Sequence, residues 1–130
     1  LYREGQTPAD WHAPIFARAR ERGILCFSTP FSEDAVELLE SLDAPAYKIA
    51  SFEAVDLPLI ARVARTRRPM IVSTGMASAG EIAEAVECAR DHGCTNLTLL
   101  KCTSSYPASP ETTNLRTMPV LAAMFGCHVG

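Results

Sequence analysis

The sequence predicts a parallel α/β fold, either an open doubly wound sheet or a (β/α)8 barrel. Five short apolar stretches alternate with five helical patterns along 130 residues. The strand starts are spaced by roughly 22 to 31 residues, the length of a strand, a helix and two short loops. No G-x-G-x-x-G turn occurs, which argues against an open, doubly wound nucleotide-binding sheet. A complete barrel needs about 250 residues, so if the fold is a barrel, a chain of this length is about half of one.

Each element has its own signal. Thr7 stands as a helix cap with Pro8 at the first helical position, and Trp11, Ile15, Phe16 and Ala19 form the expected buried face. The first strand is read at Ile24–Ser28. Ser32 caps the next helix, Glu33 and Asp34 complement its dipole, and Leu38, Leu39 and Leu42 face inward. The stretch Ala46–Ala50 is mixed and reads as a strand mainly from its neighbours. Asp56 caps a third helix, with Pro58 in its first turn and Leu59, Ile60 and Val63 buried; Met70–Ser73 is the next strand. Ser78 and Glu81 form a capping box ahead of Ile82, Val86 and Ala89. A strand at Leu97–Lys101 follows, then a helix from about Met118 to Phe125 that stops at Gly126, then a strand start near His128. The runs at Ile24, Met70 and Leu97 are near-continuously apolar, which predicts strands covered on both faces.

With hydrophobic residues at 48% and charged residues at 21%, the chain can bury a core and is no disordered tail. A net charge of −3 draws it neither to nucleic acid nor to anionic lipid. No apolar run approaches the ~18 residues of a membrane span, and no basic-then-apolar leader opens the sequence. Five cysteines are an odd number with no C-x-x-C spacing, and read as reduced thiols in a cytoplasmic protein. The sequence starts at Leu1 rather than Met and stops at Val129-Gly130 as a new apolar run begins, so both edges read as cut.

In a parallel α/β fold the loops after the strand C-termini carry function. Here they read Ser28-Thr29-Pro30-Phe31, Lys48-Ile49-Ala50-Ser51-Phe52-Glu53, Ser73-Thr74-Gly75-Met76 and Lys101-Cys102-Thr103-Ser104-Ser105-Tyr106-Pro107. Every exit is rich in hydroxyls and two bring a lysine. That is the donor set of a site for a small phosphorylated or carboxylated anion. Gly75 would let backbone N–H groups near a helix start face the same anion.

Lys48, among Tyr47, Ile49 and Ala50, would point into a barrel interior, where an unpaired charge is expensive. The alternatives are an edge lysine reaching solvent or a Schiff-base lysine; Lys101 offers the same choice. Glu53 is either a ligand or base at the rim or a solvated loop glutamate, and Tyr106 either packs or reaches a substrate. Arg62, Arg65, Arg67 and Arg68 cluster at a helix C-terminus and read as dipole complementation on a solvated face. No two of His12, His92 and His128 have metal-ligand spacing, so no metal site is assigned in this segment. Cys102 lies near the rim without an evident base.

The strings Phe27-Ser28-Thr29-Pro30-Phe31, Pro45-Ala46-Tyr47-Lys48-Ile49-Ala50-Ser51, Ser73-Thr74-Gly75-Met76 and Leu100-Lys101-Cys102-Thr103-Ser104-Ser105-Tyr106-Pro107 resemble the nonulosonic (sialic) acid synthase family. The likeness runs nearly end to end and in the family's order. Ala50-Ser51-Phe52-Glu53, Asn114-Leu115-Arg116-Thr117 and the opening from Leu1-Tyr2 through Thr7-Pro8 and Trp11 are most similar to its pseudaminic acid synthase branch. The resemblance implies a (β/α)8 barrel followed by a small antifreeze-like domain, in a domain-swapped homodimer. It implies condensation of phosphoenolpyruvate with an N-acetylated amino sugar, C–O cleavage that releases phosphate, and a divalent metal, Mn or Mg, on the sugar aldehyde. Under it Thr29, Lys48, Ser51 and Ser73 bind phosphoenolpyruvate, and Lys48 is a charge partner rather than a Schiff base. Ser104 stands where a family Asn often contacts the same ligand, and Tyr106 matches a tyrosine on the sugar side.

The departures are absences. The family's catalytic acid and a second lysine belong to strands that would precede Leu1, and its metal-binding histidines begin in a Gly-Leu-Ser-Asp-His-Thr motif of which Gly130 is the first letter. Residues 1–130 are therefore expected to be an internal segment, about strands three to seven, of one catalytic barrel domain. Alone it is expected to be inactive and, with two open sheet edges, poorly soluble. The alternatives are an N-acetylneuraminate or legionaminate synthase, or a non-catalytic phosphosugar-binding half-barrel or gene relic.

Overall fold

The computed structural model describes residues 6–130, so the part of the resemblance at Leu1-Tyr2 lies outside the described residues. In chain order the elements are α1 (Ala9–Glu21), α2 (Glu33–Ser41), β1 (Tyr47–Ile49), α3 (Leu57–Ala64), β2 (Met70–Ser73), α4 (Ala79–Asp91), β3 (Leu97–Leu100), α5 (Thr117–Phe125) and β4 (His128–Val129), with 3-10 turns at Phe52–Val55 and Pro110–Thr112. The four strands are parallel, and their order in the sheet is their order in the chain. Every connection thus steps one strand in the same direction, and right-handed crossovers then put all the helices on one face. That is the winding of a barrel; a doubly wound sheet reverses direction part-way.

The burial pattern shows the single helical layer. Tyr47, Ile49, Met70, Val72, Leu97 and Leu99 are buried in one core with Val36, Leu39, Ile60, Val63, Ile82, Val86, Leu121 and Phe125 of the helices. Each such aliphatic side chain removed from water contributes about 1.5–3 kcal/mol. Lys48, Ile71 and Thr98 share one register row on the opposite face and are only half-buried. Among the described residues the helices cover only the first face, and the second is the one that a closed barrel fills with its own side chains. An apolar strand sequence reports burial of the helix-facing residues, and the winding leaves the other face to the barrel interior.

Two further expectations change. Instead of a strand at Ile24–Ser28 there is a single bridge from Ser28 to Tyr47, with the Lys48 N–H donating to the Ser28 carbonyl at 3.2 Å. Among the described residues nothing pairs with its far side, and Ile24 and Leu25 are 63% and 82% exposed. One bridge does not hold a ladder. Helix α1 begins at Ala9 with Pro8, not Thr7, at the cap position and no side-chain cap. Thr7 comes one residue too early to reach the open N–H groups. Of the predicted stripe only Phe16 is buried, while Trp11 and Ile15 are exposed.

The other caps form as read. Ser32 Oγ accepts from Ala35 N–H at 3.2 Å, and Asp56 Oδ1 from Leu59 N–H at 3.1 Å. Ser78 and Glu81 bond reciprocally across the first turn of α4. Helix α5 stops where Gly126 takes a left-handed conformation, φ +58°, which costs glycine nothing. Of the clustered arginines, Arg62 and Arg68 do more than face solvent. They pair with Glu40 and Asp43 and tie α3 and the turn after it to α2. As surface pairs each contributes about 0–1 kcal/mol.

Candidate functional site

Parallel strands open their C-terminal ends on one rim, so the exits of β1, β2 and β3 lie side by side. They interlock at Gly75. Ser51, the residue before the 3-10 turn, is in the right-handed helical region (φ −61°, ψ −34°), and its Oγ accepts a hydrogen bond from the Gly75 N–H at 3.2 Å. A Cβ on Gly75 would stand 2.6 Å from Ser104 Oγ and 3.1 Å from both Cys102 Cβ and Ser51 Oγ. Only glycine lets the three loops approach this closely. The Gly75 N–H itself is engaged by Ser51.

Around this junction, Ser73 and Thr74 are buried at the end of β2. Thr74 is a strand tie: its N–H and its Oγ1 both donate to the Leu100 carbonyl at 3.0 Å. Lys48 sits half-buried on the helix-free face and has no ion-pair partner among the described residues. A compact ammonium without an ion-pair partner favours an anionic ligand. Lys101 Nζ donates to Thr103 Oγ1 at 3.0 Å, while its backbone N–H extends the sheet to Gly130 at 2.8 Å.

The remaining predicted residues are placed differently. Thr29 follows the Ser28 bridge and lines a cavity of about 770 Å³ with Thr7, His12, Phe27 and Phe31, away from the Gly75 junction. Tyr106 is 96% exposed on the β3–α5 loop.

Glu53 is not the solvated loop glutamate that is commonest at such positions. It is half-buried on the turn after Ser51, and its Oε2 is buried with no hydrogen-bond partner. A buried carboxylate oxygen without a donor is costly unless a ligand or a neighbouring group supplies one. Its place two residues after a rim serine was the available signal.

Among the described residues no three His, Cys, Asp or Glu side chains converge as a metal site. His92 Nδ1 is engaged by the Cys88 carbonyl at 2.8 Å. Burial pushes the Cys88, Cys94 and Cys127 thiols up, which disfavours thiolate chemistry at all three. Among the described residues no helix is long and apolar enough to cross a membrane.

Comparison with known proteins follows the same lines. The model of the NeuB family matches residues 1–130, the whole chain. The chain belongs to the NeuB family. This NeuB-family chain is 48% identical over 130 residues to a pseudaminic acid synthase of Helicobacter pylori, covering 100% of the chain and 38% of that protein. It is 38% identical over 121 residues to an N,N'-diacetyllegionaminic acid synthase of Campylobacter jejuni, covering 92% of the chain and 36% of that protein. The crystal structure of an N-acetylneuraminic acid synthetase from Leptospira borgpetersenii, in complex with citrate, superposes with a TM-score of 0.91 at 28% identity, over 96% of this chain and 44% of that one. The chain thus spans under half the length of these relatives, and its sheet is an arc of the same kind of barrel.

Proposed function

We propose that this chain supplies the phosphoenolpyruvate-binding arc of a nonulosonic acid synthase whose product is pseudaminic acid. The observation that carries the reading is the junction at Gly75, where Ser51 and Ser104 from two strand exits are held around the exit of a third, with Ser73 at the end of β2 and Lys48, which has no ion-pair partner among the described residues, on the helix-free face of β1. Hydroxyls fixed by a backbone lock are preorganised donors for phosphate and carboxylate oxygens. The higher identity to a pseudaminic than to a legionaminic acid synthase favours the pseudaminic product.

In the condensation, C3 of phosphoenolpyruvate attacks the aldehyde carbon of the open-chain amino sugar and a C–C bond forms. Water adds at C2, the C2–O bond breaks, and the electron pair leaves with inorganic phosphate. Lys48 neutralises charge on phosphoenolpyruvate throughout and forms no covalent bond. Ser51, Ser73 and Ser104 hold its oxygens, and Tyr106 meets the sugar. Glu53 is a carboxylate in reach of the rim for holding or moving a proton. Among the described residues no three His, Cys, Asp or Glu side chains converge, and the Mn or Mg of the reaction would take its ligands from outside this segment.

The test is release of inorganic phosphate from phosphoenolpyruvate by the intact protein, with a 6-deoxy diacetamido altrose against N-acetylmannosamine. Release dependent on the altrose sugar is expected. Release with neither sugar overturns the reading, and release with N-acetylmannosamine alone moves the product to N-acetylneuraminate.

A further inference from the structure

At the end of the strands opposite the Gly75 junction, a cavity of about 530 Å³ lies between the C-terminal ends of α4 and α5, beside the starts of β3 and β4. Its walls carry Arg90, Cys94, Thr95, Asn96, Cys127 and His128. The volume falls within the range of about 300–1,000 Å³ typical of small-ligand sites.

Arg90 organises the cavity. Its guanidinium reaches across from α4 and donates through Nη2 to the Phe125 and Gly126 carbonyls at the end of α5. Its Nε and Nη1 groups have no protein partner among the described residues, and neither do the Thr95 hydroxyl, the Asn96 side-chain amide and the His128 ring. A guanidinium tethered through one nitrogen keeps its charge and its remaining N–H donors for a further acceptor.

The surroundings select the charge of that acceptor. Among the described residues no acidic side chain lines the cavity, although the chain carries a net charge of −3. The carbonyls that close α4 and α5 would repel an anion if left open. Those of α4 already accept from the His92, Gly93 and Cys94 N–H groups, and those of α5 from the Gly126 N–H and Arg90. Among the described residues Cys94, Cys127 and His128 do not converge as a metal site. Burial raises both thiols, and the Arg90 charge, close enough to act on each, opposes it.

We propose that this cavity is a binding site for a small oxyanion, a carboxylate or a phosphate, held by Arg90 together with Thr95, Asn96 and His128. An oxyanion presents several acceptor oxygens to donors that have no other partner, and a charge-assisted bond to arginine is the strongest of them. The site does not rest on the synthase reading.

The half-buried Cys127 on the wall of the cavity is the reporter of its occupancy, and Cys102, at the Gly75 junction, reports the other end of the strands. The intact protein is treated with iodoacetamide in inorganic phosphate, succinate or sodium chloride at matched ionic strength, and alkylation of each cysteine is followed by peptide mass spectrometry. At ten times Kd, mass action leaves about a tenth of the sites open, so phosphate, succinate or both should slow alkylation of Cys127 about tenfold. The oxyanion that protects at the lower concentration identifies the source. Arg90→Met should abolish the protection. Because Arg90 also holds the end of α5, Asn96→Ala, at an exposed side chain, supplies a second variant. There the concentration for half-protection should rise about fivefold, the scale of one lost hydrogen bond. Equal protection by chloride, no protection by either oxyanion, or protection unchanged in both variants overturns the proposal.

Discussion

Ser51 Oγ accepts the Gly75 N–H at 3.2 Å, and this one bond locks the exit of β1 to the exit of β2. Ser104, from the exit of β3, packs so closely on Gly75 that a methyl group there would stand 2.6 Å from its Oγ and 3.1 Å from Ser51 Oγ. Gly75→Ala is therefore expected to push Ser104 and Ser51 apart. Overpacking of this kind costs about 1–3 kcal/mol, and displacing the hydroxyls should raise KM for phosphoenolpyruvate more than KM for the sugar. Steady-state kinetics with a thermal melt check both. Unchanged KM for phosphoenolpyruvate would separate the junction from the ligand.

Lys48 distinguishes two chemistries. As a charge partner it forms no imine, so borohydride added with phosphoenolpyruvate and sugar should leave the intact mass of the protein unchanged. Lys48→Met should raise KM for phosphoenolpyruvate on the order of a hundredfold, the scale of a lost charge-assisted contact, while Lys48→Arg restores part of it. A reduced covalent adduct at Lys48 would show an aldolase-type enzyme instead.

Glu53 keeps a buried carboxylate oxygen without a partner, a destabilising feature in the unliganded protein. Glu53→Gln keeps the shape and removes the charge. We expect the melting temperature to stay level or rise while kcat falls by about a hundredfold, the usual scale of a positioned acid or base. A variant that loses stability and keeps kcat would assign Glu53 to the fold instead.

The capping box of α4 makes a pH prediction. The Ser78 backbone N–H donates to the Glu81 carboxylate at 2.7 Å and holds it below the ordinary glutamate value of 4.5. A carboxyl depressed in the folded state stabilises above its unfolded value, and that contribution is lost as pH falls through the folded value. Glu81→Gln should melt below the unaltered protein at neutral pH, and the two curves should converge as the solution is taken below pH 4.5. A gap that is constant with pH would mean that the charge of Glu81 does not contribute.

Much of the fold was legible locally. Ser32, Asp56, Ser78 with Glu81, and Gly126 each mark a helix end, because a cap needs only residues three or four positions apart. Met70–Ser73 carries its strand signal in an unbroken apolar run. The region from Thr7 to Ser28 was not legible in the same way. An apolar stripe such as Trp11, Ile15 and Phe16, or an apolar run such as Ile24–Ser28, states what could be buried, whereas burial and strand pairing need a neighbour.

The sequence by itself determined the alternation of elements, the caps, and the gathering of hydroxyls and lysines at the strand exits, all of which follow from short-range periodicity and residue chemistry. Only the tertiary structure decided that the helices form one layer, that Gly75 is the point where three exits interlock, and that Glu53 Oε2 is buried without a partner. Those are distances between residues tens of positions apart, and the packing of parallel strands at fixed register sets them.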